Sequence, residues 1–368
     1  MAIVTSGKRE NKTGQQNFYQ SGIQFFKFYF QNQMLKSHSV ITGIMLEQER
    51  VAGYKNVSMK AEGCIPDYEK EYFLVVEEEM QERIRKENQM EMAEKGDEII
   101  FNENTDFVPV IEKQVILKPE DYSEKEELVK NFYTIEPTTS MEEDYFQFEE
   151  LQKIDCSVNK EAAGPHILIY HTHSQEAFSN SEAGKEEDSI VGAGEILASY
   201  LESYGFTVLH HKGKYDVENR DYAYSNALPE IEQLLKDNPG IQAVIDLHRD
   251  AVAQETKLVT EIQGKQAAKV MFFNGLGRSK EKGEISYLKN PYLKENLAFS
   301  FQMKVACDEY YPGFARNIYL RAYRYNMHLC PKTLLIELGA QTNTKEEIKE
   351  ALAPLAHVLD IVMSGENK

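Results

Sequence analysis

The sequence has little of three things, and each shortage argues against a class of protein. Its four cysteines lie far apart without C-x-x-C spacing, so neither a structural zinc knuckle nor a disulfide framework is indicated. Its 41 basic residues are outnumbered by 60 acidic ones, and the formal net charge of -19 argues against a nucleic-acid-binding surface. It has no run near the roughly 18 consecutive apolar residues that a transmembrane helix needs.

The lack of a long apolar run also bears on the cellular location of the protein. The aromatic stretch 23–30 is interrupted by Gln24 and Lys27, and the apolar run 40–46 is too short for the core of a signal peptide. We therefore expect a soluble chain that is either cytoplasmic or separated from its leader.

The pattern along the chain predicts its domains. The 368 residues suffice for two domains or for one large domain with an arm. After Gly164 and Pro165, apolar strand-like runs alternate with helix-length segments, which predicts an α/β fold with a mixed central sheet flanked by helices. A smaller N-terminal α+β region is expected before it. The predicted boundaries are a disordered start at 1–20, the small region at 21–136, an acidic linker at 137–160 and the site-bearing domain at 161–368.

Three predicted strands end in side chains that can bind metals or carry protons. The run 167–170 leads into His171, His173 and Glu176, the run 241–247 into His248, and the run 334–336 into Glu337. In an open α/β sheet the functional crevice lies outside the carboxyl ends of the strands. The sequence therefore predicts that these side chains meet at one edge of the sheet.

Two histidines and two carboxylates supply the ligands and the base of a catalytic zinc site. Such zinc takes three protein ligands and keeps its fourth position for water, whose pKa it lowers to about 7. A further carboxylate can take the proton of that water and pass it to the leaving group. Because an unpaired carboxylate is costly to bury after three apolar residues, we expect a functional or paired role for Glu337.

Two of the candidate ligands have competitors. We expect His173, at the very end of its strand, to be the better ligand, and His171 to face the opposite side and support a neighbour. Glu176 competes with Glu186 and Glu187, which stand just before a predicted helix, where an acidic residue would also suit the helix dipole.

The polar end of the second strand also allows structural interpretations. We interpret His248 as a ligand supported by an aspartate, either Asp246 or Asp250. The alternative is a buried histidine that is merely bonded to one of them. Arg249 would orient a substrate carboxylate or form an ordinary ion pair.

Four segments stand in a fixed order: 169–176 (IYHTHSQE), 246–251 (DLHRDA), Tyr325 with Asn326, and 335–339 (LIELG) with Asn343 and Thr344. Together they resemble the motifs of the stage II sporulation protein P family. The resemblance covers about residues 165–365. It implies a mixed sheet flanked by helices, similar to that of zinc-dependent N-acetylmuramoyl-L-alanine amidases.

The resemblance also implies a function. Members of this family are expected to be peptidoglycan amidases and endopeptidases, which cut stem peptides from glycan and cross-links between stems. The implied process is engulfment of the forespore, outside the cytoplasm at the sporulation septum or engulfing membrane, with stage II sporulation proteins D and M as partners. Family members ordinarily carry an N-terminal membrane anchor, and none is evident in this sequence.

Carried over by motif, His173 and His248 match the amidase histidine ligands and Glu337 the catalytic glutamate. We choose Glu176 as the third zinc ligand, as in the H-x-H-x-x-E motif of the sporulation proteins, whereas the wider amidases would favour the alternatives already named. Supporting or substrate-binding roles are expected for His171, Arg249, Asp250 and Asn326.

Two rival functions stay open on the sequence alone. The polar strand ends could recognise glycan without metal, in a non-catalytic wall-binding or scaffold protein. They could also hold zinc for the hydrolysis of a different amide. Metal content tests the first rival, and mass analysis of digested muropeptides tests the second.

Overall fold

The computed structural model describes residues 107–142 and 145–365. The predicted disordered start at 1–20 and most of the predicted small region at 21–136 lie outside the described residues. None of the helices in the described ranges is long and apolar enough to cross a bilayer.

Strands and helices alternate over residues 125–250, as the sequence predicts, whereas residues 243–284 hold six strands with no helix between them. Short apolar runs form the strands, and longer segments with apolar residues at helical spacing form the helices. The strands are β1 (Tyr133–Ile135), β2 (Ile167–Tyr170), β3 (Val208–His210), β4 (Ala243–Asp250), β5 (Val259–Ile262), β6 (Lys265–Ala268), β7 (Val270–Gly275), β8 (Arg278–Ser279), β9 (Gly283–Glu284), β10 (Ile318–Arg321) and β11 (Thr333–Ala340). The helices are α1 (Lys125–Phe132), α2 (Phe148–Lys153), α3 (Ile190–Ser203), α4 (Ala223–Asp237), α5 (Leu293–Tyr310) and α6 (Lys345–Met363).

Seven of these strands form one mixed sheet in the order β1-β10-β7-β11-β4-β2-β3. Neighbouring strands run parallel, except for β7 and β11, which are antiparallel. Strands β11, β4, β2 and β3 therefore share one direction, and their carboxyl ends meet at the same edge. The prediction of a mixed sheet flanked by helices is confirmed.

The two faces of the sheet are covered differently. Ile169, Ile245 and Ile336 point to one face and belong to the main apolar core, on which α3, α5 and α6 pack. Tyr170 and Val244 point to the other face and pack with residues of α4. Because side chains alternate along a strand, the same strands supply both faces.

Residues that the sequence assigns to the N-terminal region and the linker join this sheet. β1 pairs with β10 at the sheet edge, with Tyr133 opposite Ile318. Within the predicted linker 137–160, α2 packs on α5 and buries Phe148 and Leu151, because these apolar residues interrupt the acidic stretch. The predicted domain boundaries stay a prediction.

Candidate active site

The three predicted metal ligands and Glu337 lie on the α4 face of the sheet, where β4 and β11 approach their carboxyl ends. His248 on β4 and Glu337 on β11 are register partners on adjacent parallel strands, so their side chains point to the same face. Asp246 precedes His248 by two residues and is paired in register with Tyr170 of β2. The sheet thus places a histidine beside a carboxylate that is far away in sequence.

His173 reaches this face from the turn at 172–175 that follows β2. Asp246 ties the turn to β4, because its carboxylate accepts hydrogen bonds from the Thr172 amide at 2.9 Å and from the Thr172 hydroxyl at 2.6 Å. The ring centroids of His173 and His248 lie 5.3 Å apart. Burial, together with the charges of His248 and Arg220, lowers the pKa of His173 to about 3. His173 is therefore a neutral imidazole near neutral pH, the form that binds metals.

Glu176 lies against His248 at the end of the same turn. Its Oε1 accepts a hydrogen bond from Arg220 Nη2 at 2.7 Å, and its Oε2 accepts one from the Arg249 amide at 2.9 Å. Glu176 Oε2 is also 3.5 Å from His248 Nδ1. Burial alone would raise the pKa of Glu176, but the contacts with His248, Arg249 and Arg220 outweigh it and hold the pKa well below its usual range. The carboxylate is therefore ionised and able to bind a cation.

His248 lies between two carboxylates. Its Nε2 is 2.7 Å from Asp246 Oδ1, and its Nδ1 faces Glu176. Burial alone would lower the pKa of His248, but the charges of Asp246 and Glu176 outweigh it and raise the pKa well above its usual range. A cation in place of the imidazolium proton would meet the same two negative charges.

Glu337 differs from the other carboxylates of the site because one of its buried oxygens is unpaired within the described part of the chain. Its Oε2 is buried and has no hydrogen-bond partner among the described residues. Burial and the nearby Asp250 raise the pKa of Glu337 to about 8, with His248 opposing the shift and Glu176 adding to it. Just beyond it the strand bulges at Gly339, whose φ is +60°, and such bulges re-aim side chains next to active sites. A carboxyl with this pKa can take up and release a proton near neutral pH.

The donors on this face suit zinc by their chemistry. His173, His248 and Glu176 supply two imidazoles and one carboxylate, a typical ligand set for catalytic zinc. His173 Nδ1 and Glu337 Oε2 are buried without a hydrogen-bond partner in the described part of the chain, and such atoms often face a group outside the polypeptide. The donors do not converge fully: no three His, Cys, Asp or Glu side chains in residues 107–142 and 145–365 form a metal-binding group. One oxygen of Glu176, Oε1, accepts a hydrogen bond from Arg220.

His171 has different neighbours from His173. Its Nδ1 is 2.8 Å from the Leu247 carbonyl oxygen, and its Nε2 is 2.9 Å from Nε2 of His210. The two histidines thus face different surroundings, as expected, but strand alternation is not the reason, because residues two apart on a strand share a face. The chain leaves the strand instead, and the turn at 172–175 carries His173 to the other side.

The competing carboxylates lie in a short 3₁₀ turn just before α3. Glu186 pairs there with Lys212 at 3.7 Å and Lys214 at 3.8 Å, and Glu187 is exposed. The contact with His248 favours Glu176 as the third ligand, and this assignment stays a prediction.

The other predicted supporting residues bind protein groups. Arg249 donates from Nε and Nη1 to two backbone carbonyls, at 3.0 and 3.1 Å. Asp250 Oδ2 accepts a hydrogen bond from Arg316 Nη1 at 2.7 Å. Asn326, with a φ of +56°, donates to the Tyr224 carbonyl at 2.9 Å. These contacts brace the site, and a role in substrate binding stays a prediction.

Three further site residues, not predicted from the sequence, come from residues 216–224, which connect β3 to the first turn of α4. They are Arg220 on Glu176, Tyr224, whose ring centroid is 5.8 Å from that of His173, and Asp216, whose Oδ2 is 3.9 Å from His173 Nδ1. These residues lie well beyond the end of β3 rather than directly after it and match no motif, so the polar strand-end signal did not mark them.

The sequence profile described as stage II sporulation protein P matches residues 52–360. The chain belongs to this family. Stage II sporulation protein P of Bacillus subtilis (strain 168) is 25% identical to it over an alignment of 211 residues that covers 52% of this chain and 49% of that protein. The chain thus spans about half the length of this curated relative. The resemblance inferred from the four motifs is confirmed.

Solved structures of several amidases are also similar to the chain. The N-acetylmuramoyl-L-alanine amidase AmiC2 of Nostoc punctiforme shares 12% identity, with a TM-score of 0.34, over 57% of this chain and 98% of that chain. The CwlD amidase of Clostridioides difficile, solved in complex with the GerS lipoprotein, shares 14% identity, with a TM-score of 0.33, over 55% of this chain and 96% of that chain. Both TM-scores are below 0.5, and neither likeness establishes an activity.

Proposed function

We propose that this family member is a zinc-dependent peptidoglycan hydrolase, an N-acetylmuramoyl-L-alanine amidase and endopeptidase that acts in forespore engulfment. One observation carries the proposal. His248 stands beside Glu337, whose buried Oε2 has no hydrogen-bond partner within the described ranges, and His173 and Glu176 contact the same histidine. Membership of the sporulation family supports the biological context.

His173, Glu176 and His248 would hold the zinc ion. When bound, zinc would lower the pKa of a water ligand and polarise the carbonyl of the scissile amide. Two of these donors are already in suitable forms, because the pKa of His173 lies near 3 and that of Glu176 is held well below its usual range. His248 would give up its proton in exchange for the cation.

Glu337 would move the proton during hydrolysis of the bond between the lactyl group and alanine. In its ionised form it takes a proton from the attacking water as the new C–O bond forms. It then delivers this proton to the amide nitrogen as the C–N bond breaks, so that a free amine leaves. The raised pKa of about 8 suits both steps, since the carboxyl changes its protonation state near working pH.

The cellular setting is part of the same proposal. Family membership implies that the protein works outside the cytoplasm, at the septum or engulfing membrane, together with stage II sporulation proteins D and M. Pull-down of the two partners from sporulating cells, with this chain as bait, tests that part.

Digestion of purified sacculi tests the activity. We expect protein purified without added zinc to carry about one zinc per chain. It should release stem peptides with a free N-terminal alanine and cut cross-links, as seen by mass analysis of the products. His248→Ala should lose both zinc and release. Glu186→Gln is the matched control, because Glu186 pairs with surface lysines, and it should keep both.

Two results would overturn the proposal. A protein that binds sacculi but holds no metal and releases no peptide would be a wall-binding or scaffold protein. A protein that holds zinc and cleaves only a different amide would be a zinc hydrolase with another substrate.

A further inference from the structure

We infer that Asp216 is a positioning residue for His173: its carboxylate accepts the Nδ1 proton of His173 and so leaves Nε2 as the nitrogen that binds the metal. The metal-binding part of this inference rests on the proposed function. The part that concerns the proton on His173 can be tested without metal.

Asp216 is built into the turn that carries His173. It is buried, with 9% of the residue exposed. Its Oδ1 accepts a hydrogen bond from Ser174 Oγ at 3.0 Å, and its Oδ2 accepts one from the Gln175 amide at 3.2 Å. Both donors directly follow His173 in sequence, so the carboxylate is fixed relative to the ring.

The same carboxylate faces the imidazole. Asp216 Oδ2 lies 3.9 Å from His173 Nδ1, and this nitrogen is buried without a hydrogen-bond partner in the described residues. The distance is longer than a hydrogen bond, so forming the bond requires the two groups to approach by about 1 Å. Contacts of this kind often tighten only when the ligand is in place.

An imidazole carries its proton on the nitrogen that faces an acceptor, and its other nitrogen then has the lone pair for the metal. For His173 the acceptor is Asp216, so Nε2 becomes the donor nitrogen. His248 differs, because both of its ring nitrogens face carboxylates: Nε2 is 2.7 Å from Asp246 Oδ1 and Nδ1 is 3.5 Å from Glu176 Oε2.

Asp216 also stabilises the turn, so the experiment has to separate positioning from folding. Asp216→Asn keeps the size of the side chain and an oxygen that can accept a hydrogen bond from Ser174 or from the Gln175 amide. It removes the negative charge that faces the His173 ring. Ser174→Ala removes a hydrogen bond of the turn and leaves the carboxylate facing the ring. This pair of variants distinguishes the two roles.

The first readout is the ¹⁵N chemical shifts of the His173 ring in the metal-free protein. We expect wild type and Ser174→Ala to show the proton on Nδ1, and Asp216→Asn to show a mixed or reversed tautomer. The second readout is zinc affinity, measured by competition with a chelator. Asp216→Asn should bind zinc about 10- to 100-fold more weakly than wild type, and Ser174→Ala should stay within about 3-fold of wild type.

The inference fails if Asp216→Asn keeps the wild-type tautomer, or if it loses no more zinc affinity than Ser174→Ala. Should Asp216→Asn fail to fold, Asp216→Glu keeps the charge and displaces it, and it is expected to shift the same two readouts. A wild-type protein that binds no zinc would refute the proposed function, while its histidine spectrum would still decide whether Asp216 holds the proton on Nδ1.

Discussion

The two faces of the central sheet are made by the same strands and serve different purposes. On one face Ile245, Leu247 and Ile336 are fully buried against α3, α5 and α6. On the other face, the neighbouring positions are Asp246, His248 and Glu337. A single-residue step along β4 or β11 therefore moves from apolar core to charged site.

This difference shows how the fold can bury charged side chains at a cost in free energy. Burying a carboxyl oxygen without a hydrogen-bond partner costs free energy, and Glu337 Oε2 is such an atom on the described chain. The apolar face supplies the stability that holds the charged face in place. Substitutions on the first face should affect folding, and substitutions on the second should affect metal binding, proton uptake and activity.

The largest effect on stability is expected on the apolar face. Ile245→Ala removes a fully buried side chain and should lower the free energy of unfolding by about 2–5 kcal/mol, because it leaves a cavity. Urea denaturation measures the loss. Ile111→Ala is the control, since Ile111 is 87% exposed, and it should change stability by less than about 0.5 kcal/mol. Equal losses in the two variants would contradict the assignment of the faces.

Metal addition should stabilise the charged face only when its ligands are intact. Zinc at a free concentration of about 100 times its Kd should raise the free energy of unfolding by about 2.7 kcal/mol in wild type. His173→Ala should show little of this gain, and a chelator should reverse it. Thermal melts with and without zinc measure both. If zinc raised the free energy of unfolding of His173→Ala as much as that of wild type, the metal would bind elsewhere.

The charged face should also make stability depend on pH. The pKa of Glu337 is about 8 in the folded chain and near its ordinary value when unfolded, so the folded chain binds more protons between these values. Its contribution to stability is complete below the unfolded pKa and is lost as the pH rises through about 8, by up to about 1.4 kcal/mol per pH unit.

Glu337→Gln has no proton to lose, so its stability should decline less between pH 5 and pH 9 than that of wild type. Denaturation of both proteins in the presence of a chelator, at a series of pH values, measures the difference. Parallel curves would show that Glu337 ionises normally.

The smallest effect is expected for the ion pair at the rim of the site. The Arg220 side chain is half exposed, so Arg220→Gln should change the free energy of unfolding by less than about 1 kcal/mol. The same denaturation assay measures it, with Lys214→Gln as a control for loss of a surface charge. A loss of several kcal/mol would mean that Arg220 is part of the core.

The sequence allowed the fold class and the strand ends to be predicted because periodicity and polar strand ends are local signals. The apolar runs before His171, His248 and Glu337 became β2, β4 and β11. It did not reveal β1, β6, β8 or β9, which are short and lack a long apolar run.

The partners of the site residues were harder to predict, because they depend on how distant segments pack. Arg220 and Asp216 reach the site from a polar segment whose position is set by tertiary structure. The sequence left both Asp246 and Asp250 open as the partner of His248. In the structure Asp246 Oδ1 lies 2.7 Å from His248 Nε2, whereas Asp250 forms an ion pair with Arg316. Alternation alone also could not separate His171 from His173, since the separation comes from a turn.

The central claim is that Glu337 moves the proton at a zinc site held by other residues, and Glu337→Gln tests it most directly. The variant is assayed for metal content and for peptide release from sacculi, beside wild type and Glu186→Gln. We expect it to retain zinc like wild type and to lose release by at least about 100-fold. A variant that keeps both its zinc and full release would contradict the account.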